Sequence, residues 1–171
     1  MRQSNRHILI LLVFTVALIF IGCNRNTIYS HYELRPLNEQ GWEQTDTLYY
    51  NVPPVKTEGS YSEKISLRAN SEYPFTELVV VIRQKVLPEG RIRMDTVTFH
   101  VTDTEGNNLG KGLNLKDYQA TLKELWLHKG DSLSIRMTHY MRQEHLPGIM
   151  GLGLSLTLHA PASIDAEEYE E

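Results

Sequence analysis

The sequence predicts an all-β protein, folded as a single antiparallel β-sandwich of jelly-roll-like type. The first observation is that apolar residues alternate with polar ones along several stretches, as at Ile65, Leu67 and Ala69. A period of two places successive side chains on opposite faces of a strand, so each such stretch indicates a half-buried strand. The second observation is that proline, glycine and asparagine separate these stretches at short intervals. Short strands with frequent turn signals are typical of antiparallel sandwiches.

Residues 1–22 have the composition of a lipoprotein signal peptide. Arg2 and Arg6 form a basic start, and residues 8–21 are an almost uninterrupted apolar run. That run is too short for a bilayer core, which needs about 20 apolar residues, but it suits a signal peptide. It ends at Gly22 and Cys23, which fit a lipobox, and Cys23 is the only cysteine of the chain. Several acyl chains at Cys23, palmitate among them, would anchor the protein durably to a membrane.

The rest of the chain divides into three parts. We expect residues 23–40 to be a lipidated tether, 41–159 the β-sandwich domain and 160–171 a disordered acidic tail. Signal-peptide cleavage would remove two of the 17 basic residues and none of the 21 acidic ones, so the mature protein is acidic. This charge argues against nucleic acid as a partner.

The strands of the sandwich can be assigned in order along the chain. We expect residues 46–52 to pair with residues 61–70 around Pro53 and Pro54. Residues 78–82 are continuously apolar, which favours a central strand covered on both faces. Residues 88–90 (Pro-Glu-Gly) predict a hairpin between the strands on either side. Further alternating stretches follow at 97–101, 133–138 and 152–158.

Residues 115–128 are the one candidate for a helix. Leu115, Tyr118, Leu122, Leu125 and Trp126 fall near helical spacing, but the same residues also allow a strand. Both interpretations therefore remain open for this segment.

The residues give no sign of an enzyme, a metal site or a cofactor site. Motifs for a nucleophile elbow, a phosphate loop or a zinc protease are absent from the sequence. The segment from Asp103 to Asn108 resembles part of a calcium loop, but it lacks the bidentate glutamate and is better explained as a turn. We therefore expect no catalytic residue and no cofactor. Trp42 and Trp126 are expected in the core, and the alternative function is that of a glycan- or peptide-binding envelope lipoprotein.

Several motifs, taken in order, resemble the gliding-motility lipoprotein H (GldH) family of the Bacteroidota. Behind the lipobox they are, in order, Gly41-Trp42, Tyr73-Pro74-Phe75, Asp95-Thr96-Val97, Leu109-Gly110-Lys111-Gly112, Met141-Arg142 and Leu146-Pro147-Gly148-Ile149. The resemblance implies an outer-membrane lipoprotein of the gliding apparatus, working beside the secretion machinery that exports motile adhesins. Its partners would be other envelope motility or secretion lipoproteins, and it implies no catalytic residue. Asn24, Arg25 and Asn26 lack the acidic run of surface-exported lipoproteins, which favours the periplasmic face. The oligomeric state stays open.

Two of these motifs are candidates for partner docking. The first is Leu109, Gly110, Lys111 and Gly112, where two glycines flank a single cation. The second combines Met141 and Arg142 with Leu146, Pro147, Gly148 and Ile149, a mixture of apolar groups and charge that suits an interface.

Overall fold

Antiparallel β-strands form the whole of the regular structure in the computed structural model, which describes residues 26–34 and 41–161. The strands are β1 (Thr27–Leu34), β2 (Trp42–Glu43), β3 (Leu48–Val52), β4 (Gly59–Ala69), β5 (Glu77–Leu87), β6 (Ile92–His100), β7 (Lys116–Thr121), β8 (Leu125–Leu127), β9 (Ser132–His139), β10 (His145–Leu146) and β11 (Ile149–Pro161). The signal peptide, the lipidation expected at Cys23 and residues 162–171 of the expected tail lie outside these residues.

The strands form two main sheets with the pairing of a jelly roll. The first sheet has the order β1-β11-β4-β7, with β8 also paired to β4, and the second has the order β3-β9-β5-β6. Apart from the two-residue ladder of β2 and β10, the described part of the chain has eight strands if β7 and β8 count as one interrupted strand. β1 pairs with β11, β3 with β9, β4 with β7 and β8, and β5 with β6. The first of the eight strands thus pairs with the last, and so on inward to the central hairpin. A hairpin rolled up in this way is a jelly roll, so the predicted fold class is confirmed.

The core lies between the two sheets and follows the period-two pattern. In β4, Tyr61, Ile65 and Leu67 are fully buried, while alternate positions such as Lys64 are more accessible. In β9, Leu133 and Ile135 face the same core from the second sheet. Burying a side chain of this size stabilises the fold by about 1.5–3 kcal/mol, so the alternating strands supply most of the driving force.

Two expectations about strand pairing and coverage are wrong. Residues 46–52 do not pair with 61–70, because β3 pairs with β9 in the second sheet while β4 belongs to the first. The Pro53-Pro54 connection therefore crosses between the sheets. The run 78–82 lies in β5, an interior strand, but only one face is fully covered, since Val79 and Val81 are half-buried. The hairpin at residues 88–90 is confirmed by the β5–β6 ladder.

The segment 115–128 is strand, and no helix is present in residues 26–34 and 41–161. β7 and β8 both pair with β4, and Leu122, Leu125 and Leu127 point into the core between exposed neighbours. Trp126 therefore faces outward with 43% of its surface exposed, so its predicted place in the core is wrong. Trp42 is fully buried, as predicted. The described part of the chain accordingly holds no helix that could cross a bilayer.

The folded domain extends beyond residues 41–159 at both ends. β1 lies inside the expected tether and pairs with β11 from Thr27 to Leu34. β11 itself runs to Pro161, two residues into the expected tail. β1 is an edge strand that carries few buried side chains, so its place depends on the backbone ladder more than on apolar pattern.

Candidate functional site

Four connections meet at one end of the sandwich, and they carry most of the motifs singled out in the sequence. They are residues 41–47, 70–76, 101–115 and 140–148, and we call this the Trp42 end. Backbone hydrogen bonds tie them together: Gln44 N donates to Glu144 O (2.8 Å), Asn70 N to Gly148 O (2.9 Å) and Val101 N to Thr76 O (2.7 Å). The Trp42 end is therefore a connected surface and not a set of independent loops.

The 109–112 loop is shaped by its two glycines. A Cβ on Gly110 would lie 2.6 Å from the ring of Tyr118, and a Cβ on Gly112 would lie 2.2 Å from the carbonyl oxygen of Leu115. Gly112 also has a φ of +121°, in the range that L side chains rarely adopt. Reciprocal backbone hydrogen bonds of 3.1 and 2.9 Å then join Lys111 to Asp117 at the start of β7. The glycines thus let the chain fold back tightly onto β7.

This tight loop leaves apolar side chains and one cation accessible. Leu109 is 53% exposed, and Lys111 is exposed and forms no ion pair with any described residue. Leu113 is 92% exposed and Leu115 is 40% exposed, although neither was among the predicted docking residues. An exposed group of large apolar side chains beside a charge is typical of interaction surfaces. Leu115 belongs to the spacing that also fits a helix, and the sequence gives no signal for Leu113.

A groove opens beside this loop, where the edge strands of the two sheets approach each other. It has a volume of about 390 Å³ and is lined by residues of β6 and β7 together with Leu109 and Lys111. Asp117 lies in its wall, where two hydrogen bonds of 2.8 and 3.2 Å from Arg68 hold the carboxylate. Leu109 and Lys111 thus line a concave surface between two strand edges.

The second predicted docking segment is largely structural. Leu146 is fully buried and Ile149 is 4% exposed, so these two apolar groups face the core and not the solvent. The alternation of β10 and β11 explains this, because both residues occupy inward positions. Arg142 remains exposed.

The other members of that segment hold neighbouring connections in place. The sulfur of Met141 accepts a hydrogen bond from Val79 N (3.4 Å). Pro147 and Gly148 are half-buried, and a Cβ on Gly148 would lie 2.3 Å from Tyr73 N. Gly148 O of this segment accepts a hydrogen bond from Asn70 N of the 70–76 connection, and none of the described hydrogen bonds joins the segment to residues 109–112.

His139 and Asp103 have structural partners at the Trp42 end. The His139 ring is 3% exposed and meets the Trp42 ring edge-on at 5.1 Å. Burial lowers its pKa, which keeps the imidazole neutral. The Asp103 carboxylate accepts hydrogen bonds from the backbone N of Glu105 (2.9 Å) and of Asn107 (2.8 Å), and bonds from the Asn107 side chain and backbone lower its pKa. The predicted turn is confirmed, with the carboxylate closing it.

One polar cluster inside the sandwich was not predicted from the sequence. Glu63 of β4 is fully buried, and Gln84 of β5 donates a 3.0 Å hydrogen bond to it across the two sheets. Arg93 lies 3.6 Å from Glu63 and 2.6 Å from Asp95. Desolvation raises the pKa of Glu63, while Gln84 and Arg93 oppose that rise. Glu63 and Gln84 occupy inward positions of their strands, and this alternation is the feature of the sequence that could have predicted a buried polar pair.

These carboxylates do not form an accessible reaction site. Glu63 and Gln84 are buried, and the side chains of Arg93 and Asp95 are only 21% and 20% exposed. Residues 26–34 and 41–161 also contain no cluster of three or more side chains that could hold a metal ion. The exposed leucines and the groove at the Trp42 end are the features of the described residues that suit surface recognition.

Known proteins give independent information on the family. The family profile described as "GldH lipoprotein" matches residues 27–156. The "Gliding motility lipoprotein GldH" of Flavobacterium johnsoniae is 23% identical over 154 residues, which cover 89% of this chain and 91% of that protein. The "Gliding motility lipoprotein GldH homolog" of Christiangramia forsetii is 25% identical over 113 residues, 66% of each chain.

Two solved structures share a distant likeness. The alignment with the globular domain of zebrafish complement 1qA covers 80% of this chain and 99% of that domain, with 13% identity and a TM-score of 0.42. The alignment with the Eiger TNF of S. frugiperda covers 86% of this chain and 99% of that protein, with 14% identity and a TM-score of 0.33. TM-scores this low support no conclusion about this chain. The family profile spans nearly all of the described sandwich, which confirms the resemblance, and the chain belongs to the GldH lipoprotein family.

Proposed function

We propose that this protein is a lipid-anchored, non-enzymatic component of the gliding-motility or type IX secretion machinery, or its counterpart in a host that does not glide. The observation that carries the proposal is the family match over residues 27–156. The relatives with substantial coverage are named as gliding motility lipoproteins. The anchor is the lipid at Cys23, and the proposed location is the periplasmic face of the outer membrane, in line with the non-acidic residues that follow Cys23.

The proposed working surface is the 109–115 segment together with its groove. Leu109, Leu113 and Leu115 offer apolar area that no described residue covers, and Lys111 adds a cation at the same place. Their exposure suits a partner with an apolar patch beside an acidic group, because burial of the leucines supplies affinity and the charge pair supplies orientation. Partners of this kind are other envelope proteins of the motility or secretion machinery.

Glycan binding is less well supported by the geometry. The large exposed rings of the described residues are Tyr49, Trp126 and Tyr140. Tyr49 lies on the outer face of the second sheet beside Arg136, whereas Trp126 and Tyr140 lie at opposite ends of the sandwich. Three rings on three surfaces do not form the coplanar platform that a sugar requires.

The proposal is tested by deletion of the gene in its host and complementation with variants. The double substitution Leu109→Asp and Leu113→Asp should leave the fold intact, because exposed substitutions change stability by about 0.5 kcal/mol or less. It should nevertheless abolish crosslinking to motility or secretion proteins, identified by mass spectrometry, and reduce motility or secretion at least tenfold. Ile92→Asp is the matched control, since Ile92 is 50% exposed on β6, and it should behave as wild type.

Two results would contradict the proposal. The first is normal motility and normal secretion in a deletion strain whose parent expresses the protein. The second is full complementation by the double variant with its crosslinks retained, which would move the working surface elsewhere.

A further inference from the structure

The end of the sandwich opposite the Trp42 end is the end at which the chain enters the domain. Thr27 pairs with Thr157, and Leu158 N donates a 2.9 Å hydrogen bond to Asn26 O, so β1 begins beside the last part of β11. Pro161 in turn pairs with Gly59 at the start of β4. Cys23 precedes Asn26 by three residues, which span about 10 Å at most. A lipid on Cys23 would therefore lie next to this end.

This end consists of Ile28 and residues 53–57, 87–91 and 126–130, and we call it the Trp126 end. These segments are adjacent. Arg91 Nη2 donates to Trp126 O (3.3 Å), which joins the β5–β6 hairpin to β8. Val55 N donates to Asp131 O (2.8 Å) and Gly130 N to Val55 O (2.9 Å), which joins the 53–57 connection to the turn before β9. The Trp126 end is therefore one continuous surface.

Its composition is that of a surface that meets lipid. Ile28, Leu87 and Trp126 are 42%, 37% and 43% exposed. Pro53, Pro54 and Pro88 are exposed between them. Exposed tryptophan is characteristic of the boundary between bilayer and water, because its ring is apolar and its N–H is polar.

A groove, two cations and the exposed ion pair of Arg91 with Glu89 (3.4 Å) complete this surface. The groove has a volume of about 380 Å³, and its walls are largely apolar, formed by Ile28, Pro53, Pro54 and Val55 among others. Lys56 and Lys129 are exposed beside it and form no ion pair with any described residue. Ammonium groups at the rim of an apolar surface attract anionic phospholipid headgroups.

We propose that the Trp126 end rests directly on the phospholipid bilayer that holds the Cys23 lipid. Ile28, Leu87 and Trp126 enter the headgroup region, and Lys56 and Lys129 face the phosphates. The sandwich then stands on the membrane with its strands pointing away from it. From Ser60, opposite Trp126, to Ala69 the strand rises about 30 Å, so the 109–115 segment projects into the aqueous space. This inference rests on lipidation at Cys23, which is part of the proposed function.

The two natural tryptophans make the contact measurable. The full-length, lipidated protein is incorporated into vesicles of phosphatidylethanolamine and phosphatidylglycerol that contain brominated phosphatidylcholine, a short-range quencher of tryptophan emission. Trp126 should be quenched at least twofold, whereas the fully buried Trp42 should keep its emission. Trp126→Phe should remove the quenched component. Trp126→Phe combined with Tyr140→Trp places the reporter at a residue that is 74% exposed at the Trp42 end, and that reporter should not be quenched.

The outcomes separate the contact from the anchor. Vesicle flotation and mass spectrometry report lipidation, and Cys23→Ala is the control that should not float. If the lipidated protein floats but Trp126 is not quenched, the bilayer contact is wrong while the anchor stands. If the wild-type protein carries no lipid, both proposals are wrong. Equal quenching of the reporters at the two ends would contradict the orientation. Shielding of Trp126 that rises with protein concentration in the absence of lipid would show that a second copy covers this end, and would also overturn the proposal.

Discussion

Glu63 is the residue at which this core departs most from an apolar interior. Its carboxylate is fully buried, and one of its oxygens, together with the side-chain oxygen of Gln84, has no hydrogen-bond donor within the described structure. An acceptor buried without a partner costs about 1–3 kcal/mol. A proton on Glu63 would relieve this cost, which agrees with the rise of its pKa on burial.

Glu63→Gln should therefore stabilise the protein at neutral pH, by about 1 kcal/mol if its amide donates to Gln84. In wild type the folded-state pKa lies above the unfolded one, so the folded state binds the proton more tightly. Stability is then highest below the unfolded pKa and falls as the pH rises through the folded pKa. The variant does not lose stability in this way as the pH rises. The difference in stability between the variant and wild type should therefore shrink as the pH is lowered. Thermal unfolding between pH 4 and 8 measures the difference.

The control for this prediction is Glu144→Gln. Glu144 is exposed on the 140–148 connection, so its substitution should reproduce the wild-type dependence of stability on pH. A Glu63→Gln variant that is less stable than wild type at every pH would show that the ion pair with Arg93 outweighs the unpaired acceptors.

Gly112 and Gly106 allow two reasons for a glycine, a positive φ and a lack of space for a Cβ, to be separated. Both have positive φ, +121° and +87°, but a Cβ on Gly106 would meet nothing within 4 Å, while one on Gly112 would meet the Leu115 carbonyl. Gly106→Ala should cost about 1 kcal/mol, from backbone strain alone. Gly112→Ala should cost about 2 kcal/mol or more, because the backbone must also move. Urea denaturation of both variants measures this, and equal losses would mean that the close contact at Gly112 relaxes freely.

At the scale of the element, β1 shows what a sequence pattern can miss. The alternation that predicted β4, β6, β9 and β11 comes from one buried and one accessible face, and it identified those strands correctly. β1 is an edge strand with polar residues on both faces, and backbone hydrogen bonds to β11 hold it in place. Such a strand carries no period-two signal, so the sequence of residues 23–40 indicates a tether and not a strand.

Tyr32 is the side chain that fastens β1 to the sheet. Its ring covers Gly153, where an added Cβ would lie 2.3 Å from a ring carbon, and the Arg68 guanidinium lies 5.3 Å from the ring centre. Tyr32→Ala should weaken the docking of β1 by about 1 kcal/mol, through lost ring packing and cation–π attraction. Hydrogen exchange should then be several-fold faster at the amides of β1 and unchanged in β5 and β9.

Tyr140→Ala serves as the matched control, because the Tyr140 ring is 74% exposed at the Trp42 end. It should leave the exchange of β1 amides at the wild-type rate. If Tyr32→Ala has no effect either, the ladder to β11 and the packing of Tyr29 against the core hold the strand without the Tyr32 ring.

The candidate site was also only partly predictable. The glycines around Lys111 pointed to an unusual loop, and the structure gives that loop exposed leucines and a groove. Leu146 and Ile149 have the same apolar character as Leu109, yet they are buried. What separates them is the partner strand and its register, and those depend on residues far away in the sequence. Similarly, the spacing of the leucines and Trp126 in residues 115–128 fits both a helix and a strand. The segment forms strands because it pairs with β4.

At the scale of the whole molecule, the jelly roll separates two surfaces by the length of its strands. The Trp42 end gathers the connections that carry the family motifs, and the Trp126 end gathers both ends of the described chain. Antiparallel strands make this division unavoidable, because every second connection must return to the same end. One domain can therefore meet a membrane at one end and a protein at the other without either contact disturbing the other.

The position of β11 has a consequence for biogenesis. β11 is the last strand of the described residues, and it lies between β1 and β4 in the first sheet. Until residues 149–161 emerge, β1 has no strand to join and one edge of β4 stays open. Pairings between residues so far apart in sequence also form slowly. A chain in which residues 149–161 have not yet been made therefore lacks the strand that joins β1 to β4, and the first sheet can close only after β11 has been added.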